Sequence, residues 1–505
     1  MKSTLFSLSL LFLSSFVGAA DKPNVLFLIS DDLNNYLGCY GDPRAKTPNI
    51  DALAERGVKF ERAYCTYPLC GPSRNSMLTG LYPNSSGILA NAQIFRQTIP
   101  SQQSLPQSFR LAGYFAARVG KLYHYNVPNS IGTDGHDDPG SWELELNPAG
   151  VDRLEQEEIV TLTPGQYGGT LSWYASPKSD EFHTDAMLAD DAEWVLERCA
   201  KHQERPFFLA VGFFRPHTPY VAPKDPYYGW YPEAEMPLFP TLDKNPPEVP
   251  LAALGSYKKD QDQLTDDLRR QCVQGYYASI SFMDAQVGRV VAALDRLGLA
   301  ENTIIVFTSD HGYHMGEHGL WQKQSLFEGC ARIPLLIVAP GTNSKGSVVK
   351  TPVSHLDLFP TLTDLAGVTA PDNIQGQSLV PMLHDPAAVG RGWALTQVVR
   401  GGAGNPKGKG NAAKPAGGKR FFGYSLRTPQ WRYTEWDEGE LGRELYDHDH
   451  DPGELVNLAG VSEHATVVAE LHQTLQEAVA KTFPADGITP PVKEGGLWAP
   501  NLTNP

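Results

Sequence analysis

The stretch Asn24-Val-Leu-Phe-Leu-Ile-Ser30, followed at once by Asp31 and Asp32, decides the fold of this chain. An apolar run of this length is typical of a strand that is buried on both faces of a sheet. The sequence predicts further strands at 207–213, 303–308 and 335–339, and helices at 47–56, 183–199 and 268–297. This alternation predicts an α/β fold in which helices sandwich a mostly parallel sheet.

Polar residues follow three of these strands at the point where each strand ends. They are Asp31-Asp32, Arg215-Pro216-His217 and Asp310-His311. Any one of these segments alone is typical of a turn or a helix cap. Because ligand sites of such sheets lie at the carboxyl ends of the strands, we expect these side chains to meet. Several carboxylates at one edge predict a hard divalent cation bound through oxygen.

The composition limits the class of protein. The 505 residues are 41% hydrophobic and 20% charged, which is typical of a globular protein of more than one folding unit. The formal net charge of -15 argues against a nucleic acid partner. An acidic protein that binds an anion needs a local cluster of positive side chains to do so.

The first twenty residues predict export. Residues 1–20 combine one lysine, an apolar stretch from Leu5 to Val17 and small residues before Asp21, which is typical of a secretory signal peptide. A membrane anchor is the less favoured interpretation, because the apolar stretch is short and carries four serines. No later stretch reaches the length of a transmembrane segment, about 18 apolar residues. The predicted location is therefore periplasmic or secreted.

Cysteine usage singles out one position. Six cysteines are too few for a disulfide scaffold, and Cys272 and Cys330 are predicted to be buried free thiols. Cys70 differs, because it opens Cys70-Gly-Pro-Ser-Arg74 and is followed by Leu-Thr-Gly80. The simpler interpretation is a buried cysteine before a helix with Pro72 in its first turn. The two elements together, however, resemble the signature of the type I (formylglycine-dependent) sulfatases.

The resemblance extends over nearly the whole chain after the signal peptide, and the most similar branch is iduronate-2-sulfatase-like. It implies an alkaline-phosphatase-like fold and an enzyme that hydrolyses sulfuric esters. It also implies that Cys70 is oxidised during export to formylglycine (3-oxoalanine), by a formylglycine-generating or sulfatase-maturating enzyme. The hydrated aldehyde is then the nucleophile, and it releases sulfate by reforming its carbonyl.

The resemblance also implies a metal site with one Ca²⁺ per chain. The matching ligand positions are Asp31, Asp32, Cys70, Asp310 and His311. The imidazole of His311 suits zinc better than calcium, whereas the majority of carboxylates favours calcium.

The remaining catalytic positions are cationic or imidazole side chains. Arg74 matches the residue that holds the formylglycine. Lys121 and His124 match the basic pair beside the nucleophile, with His124 as the base that collapses the sulfated intermediate. His217 and Lys323 match the groups that bind sulfate and protonate the leaving alcohol. These side chains supply the positive cluster that an acidic protein needs for an anion.

Other polar and aromatic residues are predicted to have structural or substrate-contacting roles. His314 and His318 flank Glu317 without the spacing of a metalloprotease helix, so we expect substrate-loop or structural residues. His355 and Asp357 are predicted to cap or pack a helix, with contact to the site as the alternative. Aromatic residues crowd 126–182 and 219–232, where they either stack on sugar rings or pack loops.

The pattern changes after residue 385. Residues 400–419 are rich in Gly, Ala and Lys and predict a flexible insertion, which is either a solvated loop or a contact for a sulfated polymer. Short antiparallel strands are predicted at 421–427, 431–436 and 444–447, before a helix at 462–482. We therefore predict a signal peptide at 1–20, a catalytic domain at 21–385 and a smaller C-terminal α+β subdomain at 386–505.

The main hypothesis is an exported sulfatase that cleaves a sulfate ester on a carbohydrate, such as a sulfated uronic acid of a polysaccharide or glycosaminoglycan. One alternative is a phosphoester or phosphonate ester hydrolase of the alkaline phosphatase superfamily. Another is a noncatalytic binder of sulfated glycans. The sequence leaves open the sugar, the sulfate position and the oligomeric state.

Overall fold

A computed structural model describes residues 22–239, 249–342, 344–401 and 420–484. The predicted signal peptide and residues 402–419 of the predicted insertion lie outside the described residues. The strands, numbered in chain order, are β1 (Asn24–Asp31), β2 (Val58–Phe60), β3 (Ala63–Tyr64), β4 (Phe115–Gly120), β5 (Leu144–Leu146), β6 (Val160–Thr161), β7 (Ser172–Ser176), β8 (Phe207–Pro216), β9 (Tyr220–Pro223), β10 (Thr303–Ser309), β11 (His314–Met315), β12 (Trp321–Gln322), β13 (Arg332–Ile333), β14 (Leu335–Val338), β15 (Ser347–Val349), β16 (Val353–Ser354), β17 (Ala394–Arg400), β18 (Phe421–Arg427), β19 (Trp431–Trp436) and β20 (Arg443–Asp447).

The helices are numbered in the same way. They are α1 (Pro48–Arg56), α2 (Cys70–Thr79), α3 (Pro83–Ser86), α4 (Phe95–Thr98), α5 (Leu105–Leu111), α6 (Val151–Leu154), α7 (Thr184–Lys201), α8 (Asp266–Arg296), α9 (Glu328–Ala331), α10 (Leu358–Ala366), α11 (Val380–His384) and α12 (Ala465–Ala480). Helix α8 begins two residues before the predicted start, because Thr265 caps it by accepting a hydrogen bond from the backbone N–H of Leu268.

The main sheet has eight strands within the described residues, in the order β15-β2-β14-β10-β1-β8-β4-β5. Strand β1 lies near its centre and pairs in parallel with both β10 and β8. Strand β14 is the exception in direction, since it runs antiparallel to β10 and β2. The predicted mostly parallel sheet is therefore confirmed.

The sheet is covered by helices on both faces, as predicted. Leu26 and Leu28 of β1 pack into one core with residues of α7 and α8. Val25, Phe27 and Ile29 point the other way, into a second core that includes residues of α2, α5 and α10. Because successive side chains of a strand point to opposite faces, a strand between two cores has an uninterrupted apolar sequence.

A smaller antiparallel sheet, β17-β18-β19-β20, packs with α12 and confirms the predicted C-terminal α+β unit. Its first strand, β17, was missed by the sequence analysis. This strand bonds to the main domain, since the backbone N–H of Gln397 donates to the carbonyl of Thr66 at 2.8 Å. The domain boundary at residue 385 stays a prediction.

Two further predictions concern helices and thiols. In the described part of the chain, no helix combines the length and apolar character needed to cross a membrane. All six cysteines are free, and Cys272 and Cys330 are fully buried as predicted.

Candidate active site

The carboxylate of Asp310 links the ends of β1 and β10 by hydrogen bonds. Asp32, just after β1, has a left-handed backbone with φ of 63°, a conformation that is uncommon outside glycine and concentrated at functional sites. Its backbone N–H donates to Oδ1 of Asp310 at 3.0 Å. The backbone N–H of His311 donates to the same oxygen at 3.0 Å. The acidic residues from two strands therefore meet, as the sequence predicted.

Arg74 holds these carboxylates in place. Its side chain is fully buried, and Nε donates to Asp310 Oδ2 at 2.9 Å while Nη2 donates to Asp31 Oδ1 at 2.9 Å. Nη1 donates to the carbonyls of Lys121 and Leu122 at 2.8 and 3.2 Å. The planar guanidinium thus joins α2 to the ends of three strands. The hydrogen bonds of Arg74 therefore hold protein groups in place.

Lys121 follows β4 and completes the partners of Asp31. Its Nζ donates to Asp31 Oδ2 at 2.5 Å, and both side chains are fully buried. Its backbone N–H donates to the carbonyl of Gly212 on β8 at 2.8 Å. A Cβ at Gly212 would lie 1.9 Å from the Lys121 carbonyl oxygen, so the close approach of the two strands requires glycine.

Cys70 is the first residue of α2, whose ten residues are all buried. Its Sγ lies 3.0 Å from Lys323 Nζ, 3.4 Å from His311 Nε2 and 3.6 Å from Asp32 Oδ1. Burial raises the pKa of the Cys70 thiol well above its usual range, against the opposing effect of Lys323 and Lys121. An unmodified thiol at this position is therefore a poor nucleophile, because the thiolate is the reactive form.

Four of the predicted metal ligands gather around this thiol. Asp32, Cys70, Asp310 and His311 are buried, and each offers one ligand atom within 4.8 Å of the others. Nδ1 of His311 lies 2.8 Å from the carbonyl oxygen of Gly312, which can only accept, so Nδ1 carries the proton. The lone pair of Nε2 then faces the cluster, as in histidines that bind metals. These residues fit a divalent cation.

Asp31 lies beside this group rather than in it. Its two oxygens accept from Arg74 and Lys121, and it forms a second set of candidate ligands with Asp32 and His217. Burial tends to raise the pKa of Asp31, but Lys121, His217 and Arg74 outweigh it and hold the pKa well below its usual range. Asp31 is thus an anion that the neighbouring cations stabilise, and its role as a ligand stays a prediction.

Lys323 links the thiol, a carboxylate and an imidazole. Its Nζ donates to Asp32 at 2.8 and 3.0 Å and lies 3.1 Å from His217 Nε2. Nδ1 of His217 lies 2.5 Å from the carbonyl oxygen of Thr218 and therefore carries the proton, which leaves Nε2 to accept from Lys323. Burial lowers the pKa of His217 well below its usual range, and Lys323 adds to this effect.

His124 lies on the Lys121 side of the site. It is buried, and its Nδ1 has no hydrogen-bond partner among the described residues. Its ring packs edge-on against His136 with 5.5 Å between the ring centroids. Burial lowers the pKa of His124 well below its usual range, and Lys121 and His136 lower it further. A neutral imidazole is the form in which a general base acts.

Several polar residues outside the predicted set receive a structural explanation. Nε2 of His355 donates to the Ser73 carbonyl at 3.0 Å, so this residue supports the first turn of α2 from behind. His318 stacks on Phe327 with 3.9 Å between the ring centroids. Glu317 accepts from the backbone N–H of Met315 at 2.6 Å. His318 and Glu317 thus pack the loop after β10.

Two residues near the site were missed by sequence reasoning, His136 and Lys258. His136 contacts His124, and Lys258 reaches the loop before Lys323 by donating to the side-chain oxygen of Gln322. Both lie in stretches without hydrophobic periodicity, so no local pattern marks them.

The aromatic residues at 219–232 mostly pack the interior, where Tyr220, Tyr228 and Tyr231 are at most 6% exposed.

Comparison with known proteins identifies the family of the chain. The sulfatase family model matches residues 23–368. A protein named sulfatase from Formosa agariphila is 34% identical over 455 residues, which cover 87% of this chain and 83% of that protein. Iduronate 2-sulfatase from Mus musculus is 31% identical over 521 residues, which cover 90% of this chain and 94% of that protein.

A solved structure with the same fold is the phosphonate monoester hydrolase of Agrobacterium radiobacter. It is 26% identical, covers 91% of this chain and 96% of its own, and has a TM-score of 0.74. The family model covers well over half of the chain, and two curated relatives exceed 30% identity across most of it. The chain therefore belongs to the sulfatase family and is a sulfuric ester hydrolase.

Proposed function

We propose that this protein is an exported sulfatase that removes sulfate from a sugar, with formylglycine derived from Cys70 as the nucleophile. One observation carries the proposal: Sγ of Cys70 lies in contact with Lys323 and beside the cluster of Asp32, Asp310 and His311. Export is proposed from residues 1–20, and a formylglycine-generating or sulfatase-maturating enzyme is the proposed partner.

Two lysines are the proposed contacts for the sulfate oxygens. Lys121 and Lys323 are each held by a carboxylate, Asp31 and Asp32 respectively, so their ammonium groups are oriented before substrate arrives. The first turn of α2 adds the partial positive charge of a helix N-terminus. Arg74 acts as a positioning residue, because its hydrogen bonds hold Asp31, Asp310 and the backbone after β4.

The modified side chain and the cation supply the chemistry that the protein groups lack. The hydrated aldehyde supplies an oxygen nucleophile for sulfur and, after transfer, releases sulfate by reforming its carbonyl. Asp31, Asp32, Asp310 and His311 together with residue 70 would hold a Ca²⁺, which would supply positive charge that stabilises the anionic form of the nucleophile. The buried carboxylates supply the oxygen ligands that calcium prefers.

Proton transfers are assigned to the Lys323–His217 pair and to His124. The hydrogen-bonded pair Lys323 and His217 is proposed to deliver the proton to the leaving sugar oxygen. His124 is proposed to take the proton when the modified side chain releases sulfate. Its neutral imidazole has an unpartnered Nδ1 among the described residues, so it is able to accept one.

A carbohydrate substrate is proposed from the relatives. One of them bears the name iduronate 2-sulfatase, which acts on a sulfated uronic acid, and it matches along most of this chain.

We assign the catalytic domain to 21–385 and the C-terminal subdomain to 386–505.

Hydrolysis of a phosphonate ester is the second candidate, because the fold is similar to that of a phosphonate monoester hydrolase. The test measures kcat/KM for a 2-O-sulfated uronic acid, a phosphate monoester and a phosphonate monoester of matched alcohol. We expect the sulfate ester to have the highest kcat/KM. A marked preference for either phosphorus ester would overturn the proposal and support the second candidate.

A further inference from the structure

Lys258 is a cation at the edge of the candidate active site that the reaction described above does not use. Its Nζ donates to the carbonyl oxygen of Gly169 at 2.7 Å and to the side-chain oxygen of Gln322. Both acceptors are neutral groups. An ammonium has three N–H donors, so the two bonds fix its position and leave a donor for another partner.

The two acceptors belong to two different segments of the chain beside the site. Gly169 follows Gly168, whose carbonyl accepts from Thr218 Oγ1 at 3.0 Å, and a Cβ on Gly168 would lie 3.8 Å from Cε1 of His217. Gln322 immediately precedes Lys323 in the chain. Lys258 therefore lies between the segment beside His217 and the loop that carries Lys323.

Lys258 makes no ion pair with any residue that the structure describes. Within the described ranges, no carboxylate oxygen lies within 4.0 Å of its Nζ, whereas Lys121 and Lys323 both have such a partner. The nearby acid along the chain, Asp260, accepts from Thr170 Oγ1 at 2.6 Å through Oδ2. Burial lowers the pKa of Lys258 to about 8, and the positive charge of Lys323 contributes, as expected for an ammonium that lacks an adjacent anion.

We propose that Lys258 forms a subsite for a second anionic group on the substrate, the carboxylate of a sulfated uronic acid. This inference rests on the proposed function. The ammonium of Lys258 is half-buried, is held by neutral oxygens and lies next to the proposed sulfate site. It can therefore form an ion pair with a second negative charge on the same sugar. A second sulfate has the same chemistry as a carboxylate here, and the experiment distinguishes the two.

The test compares three sugars on the holoenzyme and two variants. The sugars are a 2-O-sulfated uronic acid, its neutral methyl ester and a neutral sugar carrying two sulfates. The variants are Lys258→Met and, as a matched control, Lys259→Met, since Lys259 is the exposed neighbour. For Lys258→Met we expect the preference for the acid over its ester, measured as a ratio of kcat/KM, to fall about 10- to 100-fold.

The Lys259→Met control should change the preference by less than about twofold, because exposed charges contribute little. Equal losses on the acid and the ester in Lys258→Met would overturn the inference, since they would indicate that Lys258 only holds the two loops together. A loss of kcat/KM confined to the disulfated sugar would assign the subsite to a second sulfate. It would overturn the assignment to the carboxylate. A wild-type enzyme that releases sulfate from an aryl sulfate but from none of the sugars would contradict the proposed substrate class itself.

Discussion

Lys323 Nζ lies 3.0 Å from Cys70 Sγ, although the two residues are separated by 253 positions in the chain. The same ammonium donates to Asp32 at 2.8 Å. One cation therefore touches the position of the proposed nucleophile and a proposed metal ligand together. A sulfate transferred to residue 70 would lie in contact with this ammonium. Lys323 is therefore expected to contribute strongly to sulfate binding.

Replacing Lys323 by methionine should reduce kcat/KM for sulfate ester hydrolysis about 100- to 1,000-fold, because preorganised charge at the reacting group is lost. Lys224→Met is the control, since Lys224 is exposed and should change the rate by less than about twofold. Steady-state release of free sulfate measures both. Similar rates for Lys323→Met and the wild type would show that the ammonium does not contact the reacting sulfate.

Arg74→Lys should destabilise the fold by about 3 kcal/mol or more, because a buried carboxylate loses its partner. The guanidinium of Arg74 bridges Asp31 and Asp310, and a lysine cannot span both. Arg56→Lys is the matched control, since Arg56 pairs with Asp295 on the surface, where the cost is about 0–1 kcal/mol. Urea denaturation gives both values, and equal losses in the two variants would contradict the bridging role.

Gly212→Ala should reduce activity and stability together. The added methyl group would lie 1.9 Å from the carbonyl oxygen of Lys121, so β8 and the residue after β4 must move apart. Gly460→Ala is the control, because a Cβ there meets nothing within 4 Å. Melting temperature and sulfate release measure the pair of variants. Full activity in Gly212→Ala would show that the position of Lys121 is not critical.

The buried ion pairs of Glu454 should make stability depend on pH. Glu454 pairs with Arg432, and its carboxylate lies 2.9 Å from His448 Nε2. Burial tends to raise the pKa of Glu454, but Arg432 and His448 lower it from its ordinary value of 4.5 to about 2. A pKa that is lower in the folded state stabilises the fold above pH 4.5, and this contribution is lost as the pH falls from 4.5 toward 2.

Glu454→Gln removes this titrating group. The free energy of unfolding of the variant should lie roughly 2–3 kcal/mol below that of the wild type at pH 7, and the difference should shrink as the pH falls to 3. Denaturation curves at pH 7, 4.5 and 3 measure it. A difference that stays constant across these pH values would contradict the ion-pair explanation.

The sequence predicted the parts of the fold that follow from local pattern. Strand β1 packs into both cores, so its apolar run was visible without any knowledge of its partners. The direction of β14 was not visible, because parallel and antiparallel neighbours on a buried sheet have the same apolar composition. Strand β17 was missed because its partner β18 lies on the far side of the predicted insertion.

Some residues of the candidate site could likewise be predicted from the sequence, and others could not. Residues that end a strand, such as Asp31 and Asp310, were found because parallel strands bring their carboxyl ends together. His136 and Lys258 come from irregular segments, and their place beside the site depends on loop conformation that no periodic pattern encodes. The left-handed turn at Asp32 was likewise invisible in the sequence.

The central claim is that residue 70 acts as formylglycine and not as cysteine. Mass spectrometry of the peptide that contains residue 70, on protein from its native source, tests it most directly. We expect the aldehyde or its hydrate in a fraction that rises in proportion to sulfatase activity across preparations, and no activity in Cys70→Ala. An unmodified thiol in fully active protein, or full activity in Cys70→Ala, would contradict it.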